Sequence, residues 1–194
     1  MRLLDLEAAF PKLASAGYKK TSEKTPWDKP GKYNCIAWAA NDKRCWWWPH
    51  LDVYWPPWCK SREETVECFV RTFAWLGYRP CNSSRLEFGF EKVALYAVHI
   101  SGVPRNPPTD WRDLKEWIPK HMARQLRNGA WSSKCGPEED ITHYTLDALE
   151  RYGLFGNTRS AYGCACVYMR RLVVVGYVIR LLQRIYWKFE PAPY

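Results

Sequence analysis

The stretch from Tyr33 to Pro49, Y-N-C-I-A-W-A-A-N-D-K-R-C-W-W-W-P, constrains the fold more than any other part of the chain. Pro30 and Gly31 break the backbone just before it, and the apolar run Ile36-Ala37-Trp38-Ala39-Ala40 after Cys35 predicts the first turns of a buried helix. A thiol therefore opens a helix. Free backbone N–H groups and the positive end of the helix dipole favour a thiolate there, which turns a cysteine into a nucleophile. Cysteine is also among the most buried residue types, so packing is the competing role for Cys35.

At 194 residues the chain is long enough to bury a core without covalent staples. It is expected to form one domain over residues 1–170, followed by a basic tail over 171–194. Its formal charge of +9, with 12 Trp and 12 Tyr, favours an anionic partner: nucleic acid, an acidic glycan or cell-wall polymer, or a negatively charged membrane. The eight cysteines are scattered and include no C-x-x-C pair. Acidic residues interrupt the N-terminal Met1 to Pro11 stretch, which does not resemble a secretory signal. Reduced thiols and cytoplasmic synthesis are expected, and export by a route without an N-terminal signal is compatible with this.

Hydrophobic spacing supplies the elements. Leu3, Leu6, Phe10 and Leu13 predict helix, interrupted near Pro11 into two short pieces, and a polar loop from Tyr18 to Tyr33 follows. The aromatic segments Trp46-Trp47-Trp48-Pro49-His50 and Tyr54-Trp55-Pro56-Pro57-Trp58 either roof the core or line a groove for sugars, nucleobases or proline-rich peptides. Ser61 and Glu64 form a capping box ahead of a helix through Val66, Phe69, Val70, Phe73 and Leu76, stopped by Gly77. Lys92 to His99 is a buried strand, and Ser101 to Pro119 is an excursion with a short helix from Asp110 to Trp117.

Asn128-Gly129 joins a hairpin that places His121, Ala123 and Gln125 on one face. Ile141 to Tyr152 is expected to be a helix ending at Gly153, and Gly163 to Arg170 a last strand. The tail from Arg171 to Phe189 is amphipathic and basic. Arg180 interrupts its apolar run short of the ~20 residues that cross a bilayer. It is expected to lie on an anionic membrane, pack on a partner, or dock on its own domain.

A helix-start cysteine, a helix, and then strands carrying a histidine resemble the papain-like superfamily in its compact form, the NlpC/P60 and CHAP amidases. That resemblance implies an α+β fold, with N-terminal helices bearing the cysteine packed on a small antiparallel sheet. It also implies Cys35 as nucleophile and His121 as base. Asp140 is the preferred third member, over His143, Ser132 and Ser133, because a carboxylate both orients an imidazole and stabilises its cation. The Cys35 amide with the Asn34 or Gln125 carboxamide would hold the oxyanion, and Trp38, Trp46 and Trp47 would line the binding site. A closer resemblance is to an uncharacterised bacterial family with Y-N-C-I-A-W-A, W-W-W-P, E-K-V-A-L-Y, H-x-A-R-Q-L-x-x-G-x-W-S-S-K and D-I-x-H, here Tyr33–Ala39, Trp46–Pro49, Glu91–Tyr96, His121–Lys134 and Asp140–His143.

The expected function is a cysteine hydrolase or acyl transferase acting on a peptide or other acyl substrate, as a toxin, effector or cell-wall amidase. No metal or cofactor is expected, because the spacing of Cys45, His50, Cys59 and Cys68 fits no zinc knuckle. Cys164 and Cys166 read as packing residues. The alternative is a non-catalytic, aromatic-rich binding module for nucleic acid or another anionic polymer. Its Lys and Arg residues are dispersed rather than clustered into a phosphate-tracking stripe.

Overall fold

The computed structural model describes residues 6–22, 33–136, 138–152 and 162–189. Two short helices, α1 (Leu6–Ala9) and α2 (Leu13–Ala16), lie either side of Pro11 and lead into strand β1 (Tyr18–Lys20). Helix α3 (Cys35–Ala39) is followed by the aromatic loop and by helix α4 (Val66–Trp75). Then come β2 (Arg79–Cys81), β3 (Phe90–His99), β4 (Trp117–Gln125), β5 (Trp131–Lys134), β6 (Asp140–His143) and β7 (Cys164–Leu172), with helix α5 (Val173–Phe189) last. The seven strands form one antiparallel sheet in the order β1-β6-β5-β4-β3-β7-β2. The fold is α+β.

Strand alternation sorts the core into two layers. Val93, Leu95 and Ala97 of β3 and Met122 of β4 pack with α3, α4 and the aromatic loop. Ala94 and Tyr96 of β3 and Ala123 of β4 pack with α1, α2 and Leu149. The aromatic loop is a roof: Trp47 and Trp55 are buried, and Trp55 and Trp48 both pack against Phe69 of α4. Burying several indoles against one helix removes a large apolar area from water, which is why this irregular segment holds its shape.

Tertiary pairing overrides local signals at four places. Residues Ile141 to Tyr152 do not form a helix: β6 is claimed by β5 on one side and β1 on the other, and only Leu146–Leu149 winds into a 3-10 turn. Tyr18–Lys20, expected as loop, is the edge strand that completes this pairing. The cap of α4 is Thr65, whose hydroxyl accepts the Cys68 amide, while Glu64 accepts the Trp48 indole N–H at 2.9 Å instead of closing a box with Ser61. The helix expected from Asp110 shrinks to a 3-10 turn, Trp111–Asp113, because Trp117 onward is drawn into β4. The break at Pro30-Gly31 and the stop at Gly153 lie outside the described residues.

Helix α5 docks on the domain through Gly176, Ile179 and Gln183. Glu91 of β3 anchors it by accepting from Arg180 at 2.7 Å, and also accepts from Arg171 of β7 at 2.7 Å, while the Arg44 guanidinium lies 3.8 Å from the centre of the Trp187 ring. No helix among the described residues is long and apolar enough to cross a membrane. Gly77 ends α4 with φ +83°, and a Cβ there would meet Val175 Cγ1 at 2.7 Å and Ile179 Cδ1 at 2.9 Å. Gly77→Ala is therefore expected to destabilise the fold by more than about 1 kcal/mol, read as a lower denaturant midpoint. A neutral result would mean that α5 does not pack as described.

Candidate functional site

The five residues of α3 are all buried, and Asn34 sets their position. Its carboxamide oxygen accepts from Ala37 N–H at 3.0 Å, capping the helix, and its Nδ2 donates to Trp47 O at 2.7 Å. The start of α3 is thereby tied to the aromatic roof. β4 and β5 pair only at Arg124↔Ser132 and Gln125↔Trp131, so the ladder between them stops short of His121 and Met122. At that opening the Met122 backbone N–H is among the donors that face the Cys35 sulfur.

Burial pushes the Cys35 thiol up to about 11, although the N–H groups of Met122, Ile36 and Cys35 itself and the nearby Lys134 ammonium pull the other way. Lys134 is buried, donates to Glu138 O at 2.5 Å, and sits 3.5 Å from Asp140 Oδ1. His121, one peptide link from the Met122 amide, is fully buried. Tyr162 stacks on its ring at 4.2 Å, and Tyr96 meets it edge-on at 5.3 Å.

Hydrogen bonds define the state of His121. Its Nε2 lies 3.0 Å from Ser133 Oγ, which lies 3.0 Å from His143 Nε2, and His143 Nδ1 lies 2.7 Å from Thr145 O. A carbonyl only accepts, so His143 Nδ1 carries the proton that points at Thr145. Burial holds both imidazoles below their ordinary value, His143 to about 4, so each is neutral. His143 Nε2 must then accept from the Ser133 hydroxyl, whose oxygen in turn accepts from His121 Nε2–H. His121 Nδ1 is left as a bare lone pair, buried and without a hydrogen-bond partner among the described residues.

The other predicted residues have different roles. Asp140 does not reach His121: its Oδ2 accepts the Tyr33 hydroxyl at 2.7 Å and its Oδ1 faces Lys134. β6 pairs with β5 at Lys134↔Asp140, which sets the carboxylate beside that ammonium rather than beside the imidazole. Burial, then the bond to Asp140, raise the Tyr33 phenol. Gln125 Nε2 is spent on Ser84 O at 2.9 Å and Gly129 O at 3.4 Å. Asn34 is the helix cap just described.

Trp47 is fully buried, with its indole N–H on Asp42, and Trp46 is half-buried. Trp38 donates to Ser132 Oγ at 3.2 Å, with Lys43 and Arg124 packed 4.4 and 4.3 Å from its ring. The Trp38 and Trp47 indoles are held by these contacts. Sequence reading overlooks Lys134 and Tyr162. Alternation in Trp131-Ser132-Ser133-Lys134 places the lysine opposite Ser133 and thus toward α3, whereas Tyr162 carries no local signal.

Among the described residues no group of three or more His, Cys, Asp or Glu side chains is placed to hold a metal ion. The site defines an α+β domain in which a buried thiol faces the Met122 amide, and the residue before Met122, His121, begins a row of imidazole, hydroxyl and imidazole. The chain belongs to the family described as Domain of unknown function (DUF7689), whose model matches residues 20–170 and so spans Cys35, His121, Ser133 and His143 but not α5. No curated protein and no solved structure matches it.

Two outcomes follow from the imidazole row. Nitrogen-detected NMR should find His121 neutral and protonated at Nε2, and Ser133→Ala should abolish that tautomer preference. A histidine whose folded value is depressed favours the fold only while it stays neutral. Stability should therefore be full above about 6.5 and fall as the pH drops toward about 4, because the unfolded chain takes up protons first. Thermal midpoints across that window measure the slope, and a flat profile would refute the burial of neutral imidazoles.

Proposed function

We propose that this chain is a cysteine-dependent hydrolase or acyl transferase of papain-like architecture, with Cys35 as nucleophile and His121 as general base and acid. One observation carries the reading: the bare Nδ1 of His121 belongs to the residue adjoining an amide that faces the Cys35 sulfur. The Ser133–His143 row orients the imidazole through its far nitrogen, the role first assigned to Asp140. In the reaction the thiol proton passes to Nδ1 as sulfur attacks the acyl carbon. The same proton then leaves with the departing amine or alcohol, giving a thioester that water or a second nucleophile opens.

The resting pair is neutral, not a thiolate–imidazolium pair, because burial penalises both charges. Lys134 and the backbone N–H groups facing the sulfur offset that penalty when negative charge develops. A peptide amide, an ester or a related acyl group is the substrate class, and a toxin, effector or cell-wall amidase role is compatible with the basic charge. The burial of Trp47 and Trp55 in the roof weighs against the rival reading, a basic binding module with an aromatic groove.

The test is labelling with an activated ester. Iodoacetamide should modify Cys35 slowly at pH 7 and faster as pH rises toward about 11. A p-nitrophenyl ester should instead acylate it, with labelling lost in Cys35→Ser and reduced by about 10² or more in His121→Ala. Equal acylation of folded His121→Ala protein, checked by circular dichroism, would overturn the dyad.

A further inference from the structure

Helix α5 is apolar on two opposite faces. Gly176, Ile179 and Gln183 meet the domain, while Val174, Val178, Leu181, Leu182, Ile185 and Phe189 face away from it at 48–79% exposure. At 100° per residue these six side chains fall within one stripe running the ~25 Å length of the helix. Trp75 of α4 is also exposed and borders the stripe across a groove that it shares with Leu182. A contiguous apolar surface on this scale marks an interaction site.

Charge selects the occupant. Arg184 and Lys188 lie exposed along one flank of the stripe, and neither is ion-paired among the described residues. Helix α5 contains no acidic residue over Val173–Phe189, on a chain of net charge +9. A second copy would bring the same cations against this stripe with no carboxylate on the facing helix, whereas an anionic lipid surface neutralises them. Tyr177, also exposed, supplies the amphipathic ring that suits the headgroup level. Because one face is fixed to the domain by Glu91 and Gly77, the helix can lie along a surface but not span it.

We infer that α5 is an interfacial anchor that seats the domain on an anionic bilayer, its outer stripe at the acyl boundary and Arg184 and Lys188 among the headgroups. This differs from bilayer insertion, in which the whole helix would leave the domain. It is also independent of the chemistry at Cys35.

The experiment is co-sedimentation of the full chain with vesicles of phosphatidylcholine alone and with one-third phosphatidylglycerol. Binding is expected only to the mixed vesicles, and to fall as salt rises. Removing both cations in Arg184→Ala/Lys188→Ala should weaken it about thirtyfold, at about fivefold per basic residue. Leu181→Asp/Ile185→Asp, on the exposed face, should abolish binding while leaving the thermal midpoint unchanged. Equal binding to both vesicle types, or none to either, overturns the proposal. A doubled mass in light scattering that Leu181→Asp/Ile185→Asp returns to monomer, without vesicle binding, would instead assign the stripe to a second copy.

Discussion

The parting of β4 from β5 after two paired residues governs the rest of the site. β5 stays with β6 through all four of its residues, so the sheet opens on the β4 side and exposes the Met122 amide. Helix α3 occupies the opening and presents its first side chain to that amide. The placement holds because Asn34 both caps α3 and bonds to Trp47, which links five buried helical residues to the aromatic roof. Loosening either contact would leave a buried backbone group, the Ala37 N–H or the Trp47 carbonyl, without that partner, at a cost of about 1–3 kcal/mol.

Burial then sets the electrostatics. The same exclusion of water raises the thiol and lowers both imidazoles, so the groups rest uncharged. Orientation comes from hydrogen bonding instead of charge. A carbonyl at Thr145 fixes one proton, and the row of His143, Ser133 and His121 passes that choice along until one lone pair is left at Nδ1. Lys134 and Asp140 face each other at 3.5 Å, and the Tyr33 hydroxyl donates to the same carboxylate.

Much of the frame was legible in the residues. Asn34 ahead of an apolar run, the period of Val66 to Leu76, the alternation from Lys92 to His99 and Asn128-Gly129 between two strands each state a local preference that the fold keeps. The misread segments are short. Asp140–His143 has neither the length nor the pattern to declare itself, and it is a strand because two neighbours supply its hydrogen bonds. Likewise Trp46, Trp47 and Trp48 look alike in sequence, yet Trp47 is core while Trp48 reaches out to Glu64.

By itself the sequence determined that a cysteine opens a buried helix, that a histidine lies on the first arm of a hairpin, and that the last helix is basic with apolar sides. Those properties depend on residues within a turn or two of one another. Only the tertiary structure decided that Ser133 and His143, not Asp140, stand behind His121, and that α5 spends one apolar face on the domain and leaves the other bare. Strand register and helix docking settle both questions through contacts between segments far apart in the chain, as between Arg44 and Trp187, and no local pattern encodes such distances.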